Sequence, residues 1–357
     1  MQLPVDRYID VDGLRLRYWL EGDAGPNLVL IHGIGGAVDV WRKQFERLPQ
    51  SHRVLALDLP GCGRSAIPAV YPRDALRMLA TVVRGVMQGV GMPQATIIGS
   101  SLGGAVAIEF AMRWPQLVES LVLIGPAGMS SEVALPLRLM SIRGVGELLT
   151  LPDRARTGHA IRGCVADPTS VEEEDIDRAF DMATLPGAQD AFLHLLRAYA
   201  SVRGLDRNEL RRLQTGMHTI HAPTLLIWGE QDRILPITGA QVALDHFPNA
   251  ALVARPSSGH LVFVEEPEWF DDLVSNFVRA PQAVLNGIRV ESKQAPDANQ
   301  QPARRSKETV SLLPASLARH LTPRTVGVAV LGLALFAGAR FIRQQNGGGA
   351  TLLQAKG

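Results

Sequence analysis

Short apolar runs recur along the chain, and each ends in a turn rich in glycine. Asn27–Ile31 (NLVLI) runs into HGIGG, Arg53–Leu57 (RVLAL) into DLPGCGRS, and residues 95–98 (ATII) into GSSLGG. Residues 120–124 (SLVLI) run into GPAG, residues 224–228 (TLLIW) into GEQD, and a weaker run at 250–254 precedes PSSGH. These runs are apolar throughout rather than alternating, as in strands covered on both faces, which is the condition of a parallel sheet clad in helices. Residues 75–90, 104–113 and 269–279 place apolar side chains three and four apart, which predicts helices. Strand alternating with helix predicts an α/β fold with a mostly parallel, doubly wound sheet. Ahead of it, residues 8–11 and 14–20 flank Asp12-Gly13, a hairpin signal. Ligands of such sheets sit at the carboxyl ends of the strands, where the glycine turns fall.

The alternation lapses between residues 129 and 217. Helical patterns at 133–149 and 176–202 are broken at Pro152, Asp167-Pro168 and Pro186-Gly187, with no strand pattern among them. The expected organisation is therefore a core at 1–128 and 218–281, with a helical insertion at 129–217 covering the strand ends as a lid. Its apolar residues include Leu135, Leu139, Met140, Phe180, Phe192 and Leu196. From 282 to 323 the composition turns to Gln, Ala, Pro, Asn, Lys and Arg, which predicts a disordered linker. Residues 324–343 are then expected to form an apolar helix. The fifteen uncharged residues 325–339 lie between Arg324 and Arg340 and make this segment a candidate membrane anchor. At about 1.5 Å per residue the run is short for a hydrocarbon core of about 30 Å. It has no polar face, however, and it follows Arg304, Arg305, Lys307 and Arg319, as a cytoplasmic juxtamembrane segment does. The expected location is cytoplasmic, with a C-terminal tether bringing membrane contact.

Composition narrows the function. Of 357 residues, 46% are hydrophobic and the formal net charge is +1, so a large core is available and no basic stripe marks a nucleic-acid partner. The two cysteines, Cys62 and Cys164, give neither a disulfide framework nor metal-ligand spacing. No metal or cofactor is expected, and nothing at the amino terminus reads as a secretory signal.

The candidate chemistry begins at Gly99-Ser100-Ser101-Leu102-Gly103, a G-x-S-x-G match between a predicted strand and a predicted helix. Small flanking residues allow the sharp turn that projects a serine hydroxyl, and only Ser101 fits that register. Serine is a weak nucleophile that needs a base. His260, in SSGHLVF beyond the last strand, is the candidate. Asp232, after TLLIW, is the candidate to orient that imidazole, with Glu230 as its rival. The order Ser…Asp…His is that of one triad class. The glycines of His32-Gly33-Ile34-Gly35-Gly36 free backbone amides, so the N–H groups of Ile34 and Leu102 are candidates for an oxyanion hole. Gly33 and Gly35 are candidates to line the substrate.

Taken in order, HGIGG, DLPGCGRS, GSSLGG, LVLIGPAG, WGEQDRILP and GHLVFVEEP resemble the α/β-hydrolase superfamily across about residues 8–277. The nearest likeness is to its lidded bacterial esterases, C–C hydrolases of meta-cleavage products and cofactor-free haloperoxidase-like proteins. The resemblance implies a serine triad. It sets dehalogenases and epoxide hydrolases aside, because those carry aspartate at the position of Ser101. Where C–C hydrolases often place tryptophan after the catalytic histidine, this chain has Leu261, which favours a carboxylic ester of a small or medium apolar molecule. The alternatives are C–C hydrolysis or acyl transfer on the same triad, and a non-catalytic binder that retains the fold.

Overall fold

The computed structural model describes residues 3–72 and 74–294. Among the described residues the strands are β1 (Arg7–Val11), β2 (Leu14–Glu21), β3 (Asn27–Ile31), β4 (Arg53–Leu57), β5 (Ala95–Ser100), β6 (Val118–Ile124), β7 (Ala200–Ser201), β8 (Gly204–Leu205), β9 (Thr224–Gly229) and β10 (Ala250–Arg255). Eight of them form one sheet in the order β1-β2-β4-β3-β5-β6-β9-β10. The β1–β2 and β2–β4 pairs are antiparallel and all the others parallel. Asp12 and Gly13 turn the β1–β2 hairpin with φ of 49° and 79°, the positive pair that matches the twist of the two strands.

The apolar runs are explained by their two faces. Val29, Ile31, Leu55, Leu57, Ile97, Leu121, Leu123, Leu226 and Trp228 join one buried cluster. Their chain neighbours Leu28, Leu30, Val54, Ala56, Ile98, Val122, Ile124, Leu225 and Ile227 join another on the opposite face. Strand geometry sends successive side chains to opposite sides, so a sheet covered twice favours apolar residues throughout, and the buried Thr96 and Ser120 hydroxyls pair with each other (2.8 Å).

The helices are α1 (Gln44–Arg47), α2 (Ala75–Gly89), α3 (Leu102–Arg113), α4 (Leu135–Met140), α5 (Val145–Leu149), α6 (Arg154–Arg162), α7 (Glu173–Ala183), α8 (Ala188–Tyr199), α9 (Arg207–Met217), α10 (Thr238–His246), α11 (Val262–Glu265), α12 (Pro267–Arg279) and α13 (Pro281–Gln294). The first face is covered by α2, α3, α9 and α10, the second by α11, α12 and α13.

Between β6 and β9 no residue joins the large sheet. The segment does hold two strands, β7 and β8, which the sequence pattern missed; each has two residues and they pair only with each other. The stretch 133–149 is also not one helix, because Gly144 (φ 82°) separates α4 from α5. Ion pairs hold the segment to the rest: the buried Arg42 reaches Asp175 (2.6 Å) and Glu172 (2.8 Å) on and before α7, and Arg212 of α9 reaches Glu109 of α3 (2.5 Å).

The stretch expected as a linker from residue 282 begins instead as helix α13. Leu285 is fully buried, Val284 and Ile288 pack beside it, and the Arg289 guanidinium donates to the Ala250 carbonyl (2.9 Å). A helix docked by one face needs few apolar residues, so composition concealed it. The remainder of that stretch, and the apolar segment 324–343, lie outside the described residues. Among the described residues no helix is long and apolar enough to cross a membrane.

Candidate active site

The turn from β5 to α3 is tightly constrained. Ser101 has φ 56° and ψ −118°, a conformation that costs a non-glycine residue of order 1–3 kcal/mol and persists only where its surroundings enforce it. Close packing supplies that enforcement. A Cβ on Gly99 would lie 2.3 Å from the Gly103 carbonyl oxygen, and one on Gly103 would lie 2.2 Å from that of Ile31. The Ser101 N–H donates to the Ile124 carbonyl (2.9 Å), and the Ser101 carbonyl accepts from the Ala127 N–H (2.9 Å). The strand end of β6 therefore holds the elbow from the side.

The same strand end seats the other two candidates. A Cβ on Gly125 would stand 3.1 Å from Asp232 Oδ2 and 3.2 Å from His260 Nδ1, so both groups pack directly on this residue. His260 Nδ1–H donates to Asp232 Oδ2 (2.7 Å). The second carboxylate oxygen, Oδ1, accepts from the N–H groups of Ile234 (2.8 Å) and Leu235 (2.9 Å), which locks the carboxylate. Both residues are buried, whereas Glu230 is exposed on the same turn. Asp232, not Glu230, is thus the carboxylate brought to His260. The Ser101 hydroxyl makes no hydrogen bond among the described residues. Catalytic hydrogen bonds are often open before substrate arrives.

The HGIGG turn crosses in front of the serine. A Cβ on Gly33 would stand 3.1 Å from Ser101 Cβ, so a side chain there would crowd the serine. Gly36 N–H closes the turn on the Gly33 carbonyl (3.1 Å). The N–H groups of Ile34 and Leu102 donate to no acceptor among the described residues, which leaves both available to a ligand. Phe192 of α8 lies over the turn, its Cε2 3.2 Å from where a Gly35 Cβ would be. Leu102, Ala105, Ala127 and Leu213 line a small apolar cavity of about 30 Å³.

Two buried polar residues shape this turn, and their own roles were not legible in the sequence. His32 Nε2 accepts from the Leu59 N–H (3.0 Å), so the ring proton is on Nδ1, which donates to the Gly33 carbonyl (2.7 Å). Burial is complete and lowers this histidine to about 4, a neutral strut between the ends of β3 and β4. Asp58 accepts from the N–H groups of Val38 (2.6 Å) and Arg64 (2.8 Å) and faces Arg17 at 3.4 Å. Burial raises its carboxyl to about 6, with Arg17 opposing. Both lie in motifs that mark the turns, yet nothing in residue type says which neighbour's backbone they hold. Cys62 and Cys164 are unpaired, and no cluster of metal-ligating side chains occurs among the described residues.

Comparison with known proteins identifies the family. Residues 28–273 match the model of the alpha/beta hydrolase family. The chain is 31% identical over 283 residues to the dihydrolipoyllysine-residue acetyltransferase component of an acetoin cleaving system from Pseudomonas putida, covering 78% of this chain and 70% of that protein. It is 29% identical over 288 residues to a 2-hydroxymuconate semialdehyde hydrolase, also from Pseudomonas putida, covering 78% and 96%. Among solved structures, the 2-hydroxy-6-oxo-6-phenylhexa-2,4-dienoate hydrolase of Rhodococcus sp. strain RHA1 superposes with a TM-score of 0.67 at 23% identity, covering 77% of this chain and 99% of that one. A strained serine between β5 and α3, a carboxylate after β9 and a histidine after β10 occur here within a match spanning most of the chain: it belongs to the alpha/beta hydrolase family.

Proposed function

We propose that this protein is a serine hydrolase that cleaves a carboxylic ester of a small or medium apolar substrate through an acyl-enzyme. The observation that carries the reading is the seating of Ser101 and of the His260–Asp232 pair on one strand end, Ile124–Gly125. In this mechanism Ser101 Oγ attacks the ester carbonyl carbon while His260 Nε2 takes the hydroxyl proton. Asp232 holds the ring in the tautomer that leaves Nε2 free and stabilises the imidazolium. The Ile34 and Leu102 N–H groups receive the charge that moves onto the carbonyl oxygen. Collapse of the intermediate breaks the bond to the alcohol oxygen, which leaves with the proton from His260. Water then adds to the acyl-enzyme by the same route, giving up a proton to His260 and releasing the acid and free Ser101. Residues 129–217 act as the lid, with Phe192 as its contact on the oxyanion turn. The Phe192 ring beside the oxyanion turn supports an apolar substrate.

A second reading, C–C hydrolysis or acyl transfer on the same triad, is favoured by the names of the two Pseudomonas putida relatives. Turnover of p-nitrophenyl acetate and butyrate against a dienol-ketone panel decides between them. Labelling by a fluorophosphonate tests the triad itself. Ser101→Ala should abolish labelling and lower turnover by about 10⁴ or more; an alanine variant that keeps a tenth of the activity on every substrate would overturn the assignment.

A further inference from the structure

The loop that carries His260 is held between α11 and the insertion by contacts that the triad does not require. One carboxylate joins the two sides. Glu265 Oε2 accepts from the Gly259 N–H (2.6 Å), while Oε1 accepts from the N–H groups of Ala166 (2.7 Å) and Asp167 (3.1 Å). The His260 N–H donates to the Cys164 carbonyl (2.7 Å). A Cβ on Gly259 would be 2.7 Å from the Ala166 nitrogen, so the two chain segments lie in contact. Leu261 closes the assembly by packing against the small cluster of Val165, Val171 and Ile176. His260 thus has both backbone neighbours and its own amide tied to residues 164–167 or to the residue that binds them.

We propose that Glu265 is a positioning residue, which sets the register of His260 against Ser101 and makes that register depend on the docking of residues 164–167. The inference rests on the triad reading above. The physical reason is the direction of the donors. Each Glu265 oxygen faces amide N–H groups, two from the insertion on one side and one from the histidine loop on the other. A carboxylate accepts at both oxygens, whereas an amide of the same shape accepts at one and presents an N–H₂ at the other. Glutamine at this position must therefore leave one side facing donor to donor. The histidine backbone then loses either its own tether or that of the segment receiving its N–H. Displacement of a catalytic group by about 1 Å costs on the order of a hundredfold in rate.

The test is Glu265→Gln in the full chain, followed by the rate of fluorophosphonate labelling, kcat and KM on p-nitrophenyl butyrate, and amide hydrogen exchange at residues 164–167 and 259–260. The expected result is a labelling rate and a kcat lower by tenfold or more, a KM within twofold of wild type, and faster exchange in both segments. Glu172→Gln, which loosens the separate contact of the insertion with Arg42 and Lys43, should leave labelling and kcat unchanged. If the glutamine variant does not fold, Glu265→Asp provides the same readouts, since a shorter carboxylate cannot span both sides. Wild-type labelling and kcat in the folded Glu265 variant would overturn the positioning role alone, and so would a Glu172→Gln loss equal to that of the Glu265 variant. A wild-type chain that never labels would overturn the triad reading and this role with it, while exchange at 259–260 would still report the clamp.

Discussion

Replacing His32 with glutamine should produce a stability difference that depends on pH with a calculable sign. Glutamine retains an acceptor in place of the ring Nε2 but gives up the bond to the Gly33 carbonyl and the titrating group. The Gly33 carbonyl keeps its bond from the Gly36 N–H (3.1 Å), so the variant loses one hydrogen bond, worth about 0.5–1.5 kcal/mol, and His32→Gln should be the less stable protein at pH 7 by about that amount. Burial lowers the folded histidine from its ordinary 6.5 to about 4. Above pH 6.5 the ring is neutral in both the folded and unfolded chains, and nothing is lost. Between 6.5 and 4 the unfolded ring takes a proton that the folded ring refuses, so the wild type loses stability as pH falls. At about 1.4 kcal/mol per pH unit, the loss reaches about 2 kcal/mol at pH 5 and about 3 kcal/mol at pH 4. The glutamine variant has no such term. Asp58 and Asp271, which burial raises, act in the opposite sense in both proteins and cancel in the comparison. Urea unfolding of both proteins at pH 7, 5 and 4 should therefore show the gap closing and then vanishing or reversing. A gap constant over this range would show that His32 does not stand neutral between β3 and β4.

Asp232→Asn should lower kcat on p-nitrophenyl butyrate by orders of magnitude by disturbing the histidine tautomer, and Glu230→Gln should change it little; kinetics showing the reverse ranking would assign the wrong carboxylate. Asp271 on α12 is 2% exposed and is raised by burial to about 8, against the opposing Arg47 and Gln44 side chains. Its unfolded form ionises from about pH 4 while the folded form does not, so wild-type stability falls as pH rises. Asp271→Asn should gain on the order of 4 kcal/mol relative to wild type between pH 4 and pH 7, and parallel urea midpoints across that range would refute it.

Where a structural role depends on a side chain's own chemistry, it was legible in the sequence. Runs such as NLVLI and TLLIW announce strands because both faces of each are covered, and Gly99, Ser101 and Gly103 announce the elbow because no larger neighbours fit. The candidates Ser101, Asp232 and His260 could be named from residue type, position after strand ends and chain order. What remained hidden is held by the backbone. Glu265 and His32 act on N–H and carbonyl groups that every residue has, so no partner is marked in the sequence. Helix α13 was concealed because it docks through Leu285 and few others, and the β7–β8 pair because two residues carry no periodicity. The choice between Asp232 and Glu230 was settled only in three dimensions, by which of the two points inward.

The path of the chain around α9 has an evolutionary consequence. Strand β6 ends beside Ser101, and its parallel neighbour β9 starts at the opposite end of the strands, so α9 alone could serve as the crossover between the two. Everything from α4 to β8 is a parenthesis ahead of that crossover, free to be rewritten without altering the register of any strand in the large sheet. The freedom has one condition. A replacement segment must bring two amides to Glu265 and one carbonyl to His260, and any amino acid except proline at the amide positions can do so. Selection on the insertion is therefore expected to preserve the course of residues 164–167 and an apolar side chain at Val165, which packs beside Leu261, while the identities at 164, 166 and 167 drift with the histidine still in place.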